Sequence, residues 1–431
     1  MNAQLASHYS SDYPEYAANL SGQSVAWLKT LRSEALATFS STGFPTLREE
    51  EWRYTNVSAI EKKRFKPVEK TGTINENLLK TYRLDDAWTM VFVDGYFSPE
   101  HSHTSGLSDE VELSSIADIL ETQAEKLKPY LGQAVSNDEH NFVAFNTAWF
   151  NDGVFLNIPA KQVLSKPIQL LHIVSQPDAL VTTRNIIVAG KHSESEIIET
   201  FIGENAYLNA AVNEVFVEEN AALTLYKLQS ESTKSYHFGG TYVKQQPNSR
   251  FNHNSFSFGA LLARNDVHTD LETASECSLN GLYLGVKRQH IDNHTRINHN
   301  KPHGISREFY KGILDNRARG VFQGRVVVVE DAQKTDSEMN NRNLLLSNDA
   351  EVDTKPQLEI YADDVKCAHG VTVGQLEEKS IFYLQSRGVD EETARNVLTF
   401  AFANEMVDKV SIDSLKTLLE TELLKSLPIE L

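Results

Sequence analysis

Apolar residues fall at helical spacing near both ends of the chain and give way to short β-rich runs between them. Val25, Leu28, Leu31, Ala35 and Phe39 predict one helix, with Ser24 placed to cap its start and the STGFP stretch at 41–45 to end it. Toward the other terminus, Ala394, Val397, Leu398, Ala401 and Phe402 predict a helix capped by Asp390, and Gly388 closes the segment before it. Ile412, Leu415, Leu418, Leu419 and Leu423 mark a third amphipathic piece.

Between about residues 155 and 372 the period changes. The runs SEIIETFIG, NEVFVEE, LTLYKLQ, RFNHNSFSFG, LNGLYLG and GRVVVVED are separated by Asn, Gly, Ser and Asp rather than by helical stretches. IGENAYLN at 202–209 is echoed by VEENAALT at 217–224, a spacing of 15. Stacked rungs of a β-solenoid produce such echoes, because each rung buries its face only against the next. A β-sandwich also yields many short strands, so the pattern leaves both open. The chain divides into a helical and mixed region at 1–150, a β-rich core at 151–375 and a helical region at 376–431.

Composition narrows the function. The chain has 431 residues, 41 Lys and Arg against 59 Asp and Glu, and a net charge of −18. No basic stripe survives that background, which argues against nucleic acid as a partner. The densest basic run, EKKRFK at 61–66, reads as a solvated surface turn. No stretch approaches the ~18 consecutive apolar residues of a membrane helix. The opening MNAQLASHYSSDYPEYAANL has neither a basic start nor an apolar core of signal-peptide length. With only two cysteines, 90 positions apart, the chain fits a reducing cytoplasm, with both as free thiols.

The motif search is largely negative: there is no G-x-x-x-x-G-K-[ST] phosphate loop, no H-E-x-x-H, no C-x-x-C and no G-x-S-x-G. His290, His294, His299 and His303 lie within 14 residues and suggest zinc or non-haem iron, with Asp292 close by. Their spacings of four, five and four do not hold one strand face, and Pro302 precludes a regular helix. The favoured reading has these side chains satisfying backbone groups on turns. A metal-dependent β-helix enzyme using this run is the alternative. Cys277, among small polar residues, reads as a buried structural thiol.

Cys367 and His369, in DDVKCAHGVTVGQ, are the sharper pair. On a strand they share one face, while Lys366 and Ala368 share the other. A thiolate and an imidazole suit a soft metal or one edge of a cluster, but an iron–sulfur unit generally takes four protein ligands. The remainder must come from a partner subunit or from Cys277.

At 306–390 the sequence resembles the SufB/SufD family of scaffold subunits of the SUF iron–sulfur cluster assembly system. The resemblance rests on AQKTDSEMNNRNLLLS followed by PQLEIYADDVKCAHG, and on LREEEWRYTNV at 47–57, which is similar to the family's Trp-containing entry motif. It is closer to the SufD branch: SufB-like chains are richer in cysteine and place acidic residues on both sides of the corresponding His, where this chain has Ala368 and Gly370. Ala368 stands where a Ser is more usual in that branch.

The resemblance implies a mainly β fold, with a right-handed parallel β-helix core flanked by N-terminal and C-terminal α-helical segments. It implies a non-enzymatic scaffold that pairs with a SufB-like subunit through the β-helix ends and binds a SufC-like ATPase through residues 376–431. It implies a transient iron–sulfur cluster at the scaffold–scaffold interface, held in part by Cys367 and His369, and no cofactor tightly bound to the isolated chain. A homodimer of the isolated chain and a purely structural paralogue of SufB are both compatible with it.

Overall fold

In the computed structural model, which describes residues 8–68, 72–137 and 140–427, a single backbone rule generates most of the molecule. The first seven residues of the opening segment lie outside the described residues. Four short strands come first: β1 (Lys66–Pro67), β2 (Trp88–Val93), β3 (Tyr96–Phe97) and β4 (Glu112–Ser115). The coil then follows as β5 (Val154–Ile158), β6 (Ile168–Val174), β7 (Ala179–Ala189), β8 (Glu194–Gly203), β9 (Leu208–Val217), β10 (Ala222–Glu231), β11 (Tyr236–Gln245) and β12 (Arg250–Ser257). It continues as β13 (Leu262–Leu271), β14 (Glu276–Gly285), β15 (His290–His299), β16 (Ile305–Leu314), β17 (Arg319–Val328), β18 (Asp336–Leu345), β19 (Glu351–Ile360) and β20 (Lys366–Gly374).

From β5 onward, odd-numbered strands stack in one sheet and even-numbered strands in the other, with parallel ladders throughout. Ala222 pairs with Glu194 on one side and Arg250 on the other, so one full turn there takes 28 residues. Half a turn is therefore 14 residues, and the echo read at a spacing of 15 joins one corner to the next with a one-residue offset. All-parallel ladders between strands that alternate sheets make this a β-solenoid, and the sandwich reading falls away.

The corners explain why the turns stack. One corner of each turn carries a residue with φ near +60°: His192, Asn220, Asn248, Ala274, His303 and Lys334. The N–H of each donates to the next turn, for example Asn220 to the Pro247 carbonyl at 3.1 Å and His303 to the Gln333 carbonyl at 3.0 Å. Left-handed backbone is unfavourable for L-residues, and the ladder of corner hydrogen bonds offsets it.

Side chains alternate between the inside of the coil and its outer faces. Leu223, Leu225, Leu279, Ile291, Ile297, Phe322 and Val326 fill the interior. The interior is also polar in its earlier turns. Asn185 and Asn213 donate to Glu199 at 3.0 and 2.8 Å, and Lys227 Nζ donates to Asn265 Oδ1 at 2.8 Å.

Helices cover both outer faces, which is why strands such as β7 are buried at every position rather than at alternate ones. On the odd-numbered sheet lie α1 (His8–Ala17), α2 (Ala26–Thr42), α3 (Ser58–Lys62) and α6 (Asn141–Trp149), whose Tyr9, Phe39, Ile60 and Phe145 share one apolar cluster with Leu208, Tyr236 and Leu262. Between them in sequence come α4 (Glu76–Tyr82) and α5 (Ile116–Thr122). On the even-numbered sheet lie α8 (Glu391–Val407) and α9 (Asp413–Ser426), preceded by α7 (Glu378–Ser386). Met406, Val407, Leu415, Leu419 and Leu423 pack there with Tyr226, Leu228 and Phe256. The C-terminal helices are thus part of the folded body.

Local signals were met unevenly. Asp390 caps α8 by accepting from the Thr393 N–H at 2.9 Å, and Gly388, at φ +90°, follows α7. Ser24 does not cap α2; Val25 occupies that position without a side-chain bond. The EKKRFK run is not simply a solvated turn, because Phe65 is buried and Lys66 opens β1.

The corner geometry predicts an asymmetry. His303→Gly should leave unfolding free energy within about 0.5 kcal/mol of the parent, whereas His303→Val should cost about 1–2 kcal/mol or more. Denaturant midpoints of the two variants check this; equal midpoints would show that the corner conformation carries no strain.

Candidate functional site

The last turn of the coil differs from all those before it. β19 pairs with β17 and β20 with β18, and each ends its sheet with the other edge unpaired. No residue of β19 or β20 is fully buried. Ile360, Tyr361, Val371 and Val373 are exposed here, Tyr361 to 64%. Two parallel edges with free N–H and C=O groups, flanked by apolar side chains, form a template for further strands.

Cys367 and His369 sit on β20. Their ladder partners are Ser337 and Met339, both buried on the inner side of β18, so the pair projects to the inner side of the terminal turn. Ala368 pairs with the exposed Glu338 and faces outward. Two residues along a strand place the Cα atoms of Cys367 and His369 about 6.5–7 Å apart. Cys367 is half-buried against the interior cluster, and burial, with the nearby Asp336 charge adding, raises its thiol above the ordinary value. A hydrogen bond with the Ser337 backbone partly offsets this. The thiol is therefore protonated at neutral pH, and metal binding there releases a proton. His369 is exposed, and its imidazole makes no hydrogen bond among the described residues.

The two do not complete a metal site alone: among the described residues no group of three or more His, Cys, Asp or Glu can hold a metal ion. Cys277 does not supply the missing donor. It belongs to the same inward column as Cys367, but Ser306 and Ser337 stand between them, placing the two thiols about 14 Å apart at the usual strand spacing. Cys277 is buried in the core, as its polar, isolated setting suggested.

The histidine run resolves differently from its reading as turn filler. Three of the four lie on a strand, and they bond side chains. His290 meets Thr55 at 2.9 Å, His294 lies 3.0 Å from Asp292 and 3.3 Å from Glu51, and His299 meets Ser306 at 2.9 Å inside the coil. Only His303 is a corner residue. The run points to two faces and a corner and gathers no common metal, so the enzyme alternative loses its site.

What sequence reasoning missed is the purpose of the EEW segment. Glu51 accepts from Gln323 Nε2 at 2.8 Å, Glu50 pairs with Lys355 of β19 at 2.5 Å, and Arg264 donates to the Glu51 carbonyl at 2.6 Å. The Arg264 guanidinium lies 3.6 Å from the Trp52 ring centroid. The N-terminal segment is thereby clamped across β13, β15, β17 and β19, out to the open turn. A second surface lies on the C-terminal helices, where Phe382 and Tyr383 of α7 are 70% and 58% exposed and Val397 of α8 is 43% exposed.

Comparison with known proteins identifies both halves of the chain. Residues 172–402 match the family model described as SUF system FeS cluster assembly, SufBD core domain, and residues 3–170 match the SufBD protein N-terminal region. The chain is 34% identical over 414 residues to an iron–sulfur cluster assembly SufBD family protein of Synechocystis, covering 93% of this chain and 91% of that protein. It is 32% identical over 384 residues to the iron–sulfur cluster assembly protein SufD of Escherichia coli, covering 87% of each. A chloroplastic protein of Arabidopsis thaliana, ABCI7, is 30% identical over 394 residues, covering 89% of this chain and 82% of its own length.

The clamp predicts a pH signature. Burial and the Arg264 charge oppose protonation of His294, but the carboxylates of Asp292 and Glu51 outweigh them and raise its pKa above the ordinary imidazole value. A raised folded pKa gives stability that is fully present below the unfolded value and is lost as pH rises through the folded one. His294→Asn should cost about 1–3 kcal/mol near pH 6, and the gap from the parent should narrow as pH rises. Urea titrations at several pH values measure it; a gap that widens with pH would contradict the assignment.

Proposed function

The chain belongs to the SufBD family of the SUF iron–sulfur cluster assembly system, and on that footing we propose that it is the SufD-type scaffold of a complex in which its open end meets a SufB-like subunit. One observation carries this reading: the unpaired terminal turn bears Cys367 and His369 on one face, and among the described residues no third His, Cys, Asp or Glu joins them. A soft thiolate and a borderline imidazole suit iron, and two donors cover half of what a cluster usually needs. The partner supplies the rest. The cluster is cargo, formed and passed on, and the scaffold performs no covalent chemistry of its own.

The energy source is a SufC-like ATPase, since this chain has no phosphate loop. It docks on the exposed α7 and the start of α8. Lys311 of β16 bonds the Phe402 carbonyl at 2.8 Å and pairs with Glu405, tying α8 to the even-numbered sheet two strands from β20. A pull on these helices is therefore passed along β16 and β18 to the cluster turn. The setting is a reducing cytoplasm that keeps Cys367 a free thiol.

Co-expression with SufB-like and SufC-like partners tests the reading. His369→Ala should leave complex yield near normal and reduce bound iron and sulfide several-fold, because an exposed imidazole is lost without a core cavity. Cys367→Ser should give a milder loss, and Phe382→Glu should lose the ATPase while keeping the other scaffold. A His369→Ala complex that assembles with its full iron and sulfide content would refute the site.

A further inference from the structure

A cleft of about 700 Å³ opens on the outer face of the odd-numbered sheet, a volume in the range of small-molecule sites. Its floor is a grid of side chains in strict register. Lys244 of β11 pairs in the ladder with Asp270 of β13, and Asp270 with Asn298 of β15; His268 and Arg296 pair in the adjacent column. One wall is the loop at 132–137 and the other is α2, which contributes Glu34.

The wall is built with unusual effort. The Glu214 carboxylate accepts the Gly132 N–H at 2.7 Å and the Ala134 N–H at 2.8 Å. Glu214 is itself paired with Arg184 at 2.6 Å, and both side chains are completely buried. A buried ion pair does little for net stability, because its desolvation consumes most of the attraction. Here it fixes a loop in place beside the cleft.

The charges in the cleft are also arranged. Arg296 Nε donates to Asn298 Oδ1 at 3.0 Å, and Asn298 Nδ2 donates to Asp270 Oδ1 at 2.7 Å. That chain orients the guanidinium, while among the described residues its two terminal amino groups keep no partner and the exposed Lys244 has none either. Burial, with His140 adding to it, holds His268 well below the ordinary imidazole value despite Asp266, so its ring stays neutral and leaves the charge in this part of the cleft to Arg296. Oriented cations with unspent donors attract an oxyanion, and an Arg fork beside a Lys point charge suits phosphate. Asp270 and Glu34, close by, are acceptors for hydroxyl groups.

We propose that this cleft binds a small phosphate ester of a polyhydroxylated molecule, a sugar phosphate or a nucleoside monophosphate. The phosphate lies on Arg296 and Lys244, and the hydroxyls donate to Asp270 and Glu34. Neither the open turn nor the α7–α8 surface takes part.

Isothermal titration of the full chain with ribose 5-phosphate, adenosine monophosphate and inorganic phosphate, at low ionic strength, tests it. One of the two esters should bind saturably at one equivalent, more tightly than inorganic phosphate, and the better of the two identifies the organic part. Arg296→Gln and Lys244→Gln should each weaken that ester at least about tenfold, the cost of a charge-assisted contact. Glu34→Gln should weaken the ester and leave inorganic phosphate unchanged. Lys244 and Glu34 are surface residues, so their variants test the site even if Arg296→Gln unfolds. Absence of saturation by either ester, unchanged ester affinity in the Lys244 variant, or phosphate binding as tightly as the esters would overturn the proposal.

Discussion

A strand in a parallel coil satisfies its backbone N–H and C=O groups only through the turns above and below it. From β7 to β18 that condition is met on both sides, and at β19 and β20 on one side alone. Much of the architecture follows. The inner face of each turn packs against its neighbours, the helices seal the two outer faces, and the stack can end only by being capped or by meeting another molecule. At the start, the antiparallel β3 and β4 end the two sheets. At the far end the described residues offer no cap, and Cys367 and His369 stand there.

That end is not left slack. The EEW segment reaches β19 through Glu50 and Lys355, and the C-terminal helices grip β16 through Lys311. Both of the coil's outer faces are thus held near the open turn by distant parts of the chain. Arg264 joins Trp52, Asp266 and Asp292 in one buried arrangement, so its full desolvation is matched by paired charges and an aromatic face.

Some of this was legible in the residues alone. The shared face of Cys367 and His369 follows from strand parity, and the α8 start from Asp390, whereas the echo at a spacing of 15 hinted at stacking without giving the turn length, which is 28 residues. Other features needed the register. The gap between Cys277 and Cys367 is set by how many turns intervene, which spacing in sequence does not reveal. His290, His294 and His299 mix odd and even positions, so their division between outer and inner faces is readable only once the strand is located. The inward-facing Glu199, Lys227 and Asn213 defeat the rule that interiors are apolar, because side chains facing them across the coil, and one ladder neighbour, supply their hydrogen-bond partners. The clamp made by Glu51 and Trp52 joins residues more than 200 positions apart and leaves no local signal.

The central claim is that the open turn is a protein interface. Amide hydrogen exchange of β19 and β20, with the chain alone and then mixed with a SufB-like protein, addresses it most directly. The unpaired edges should exchange quickly in the free chain and become protected by at least about tenfold in the complex, with the outer faces of earlier turns unchanged. Protection confined to other strands or to the helices, with β19 and β20 still exchanging freely, would contradict the account.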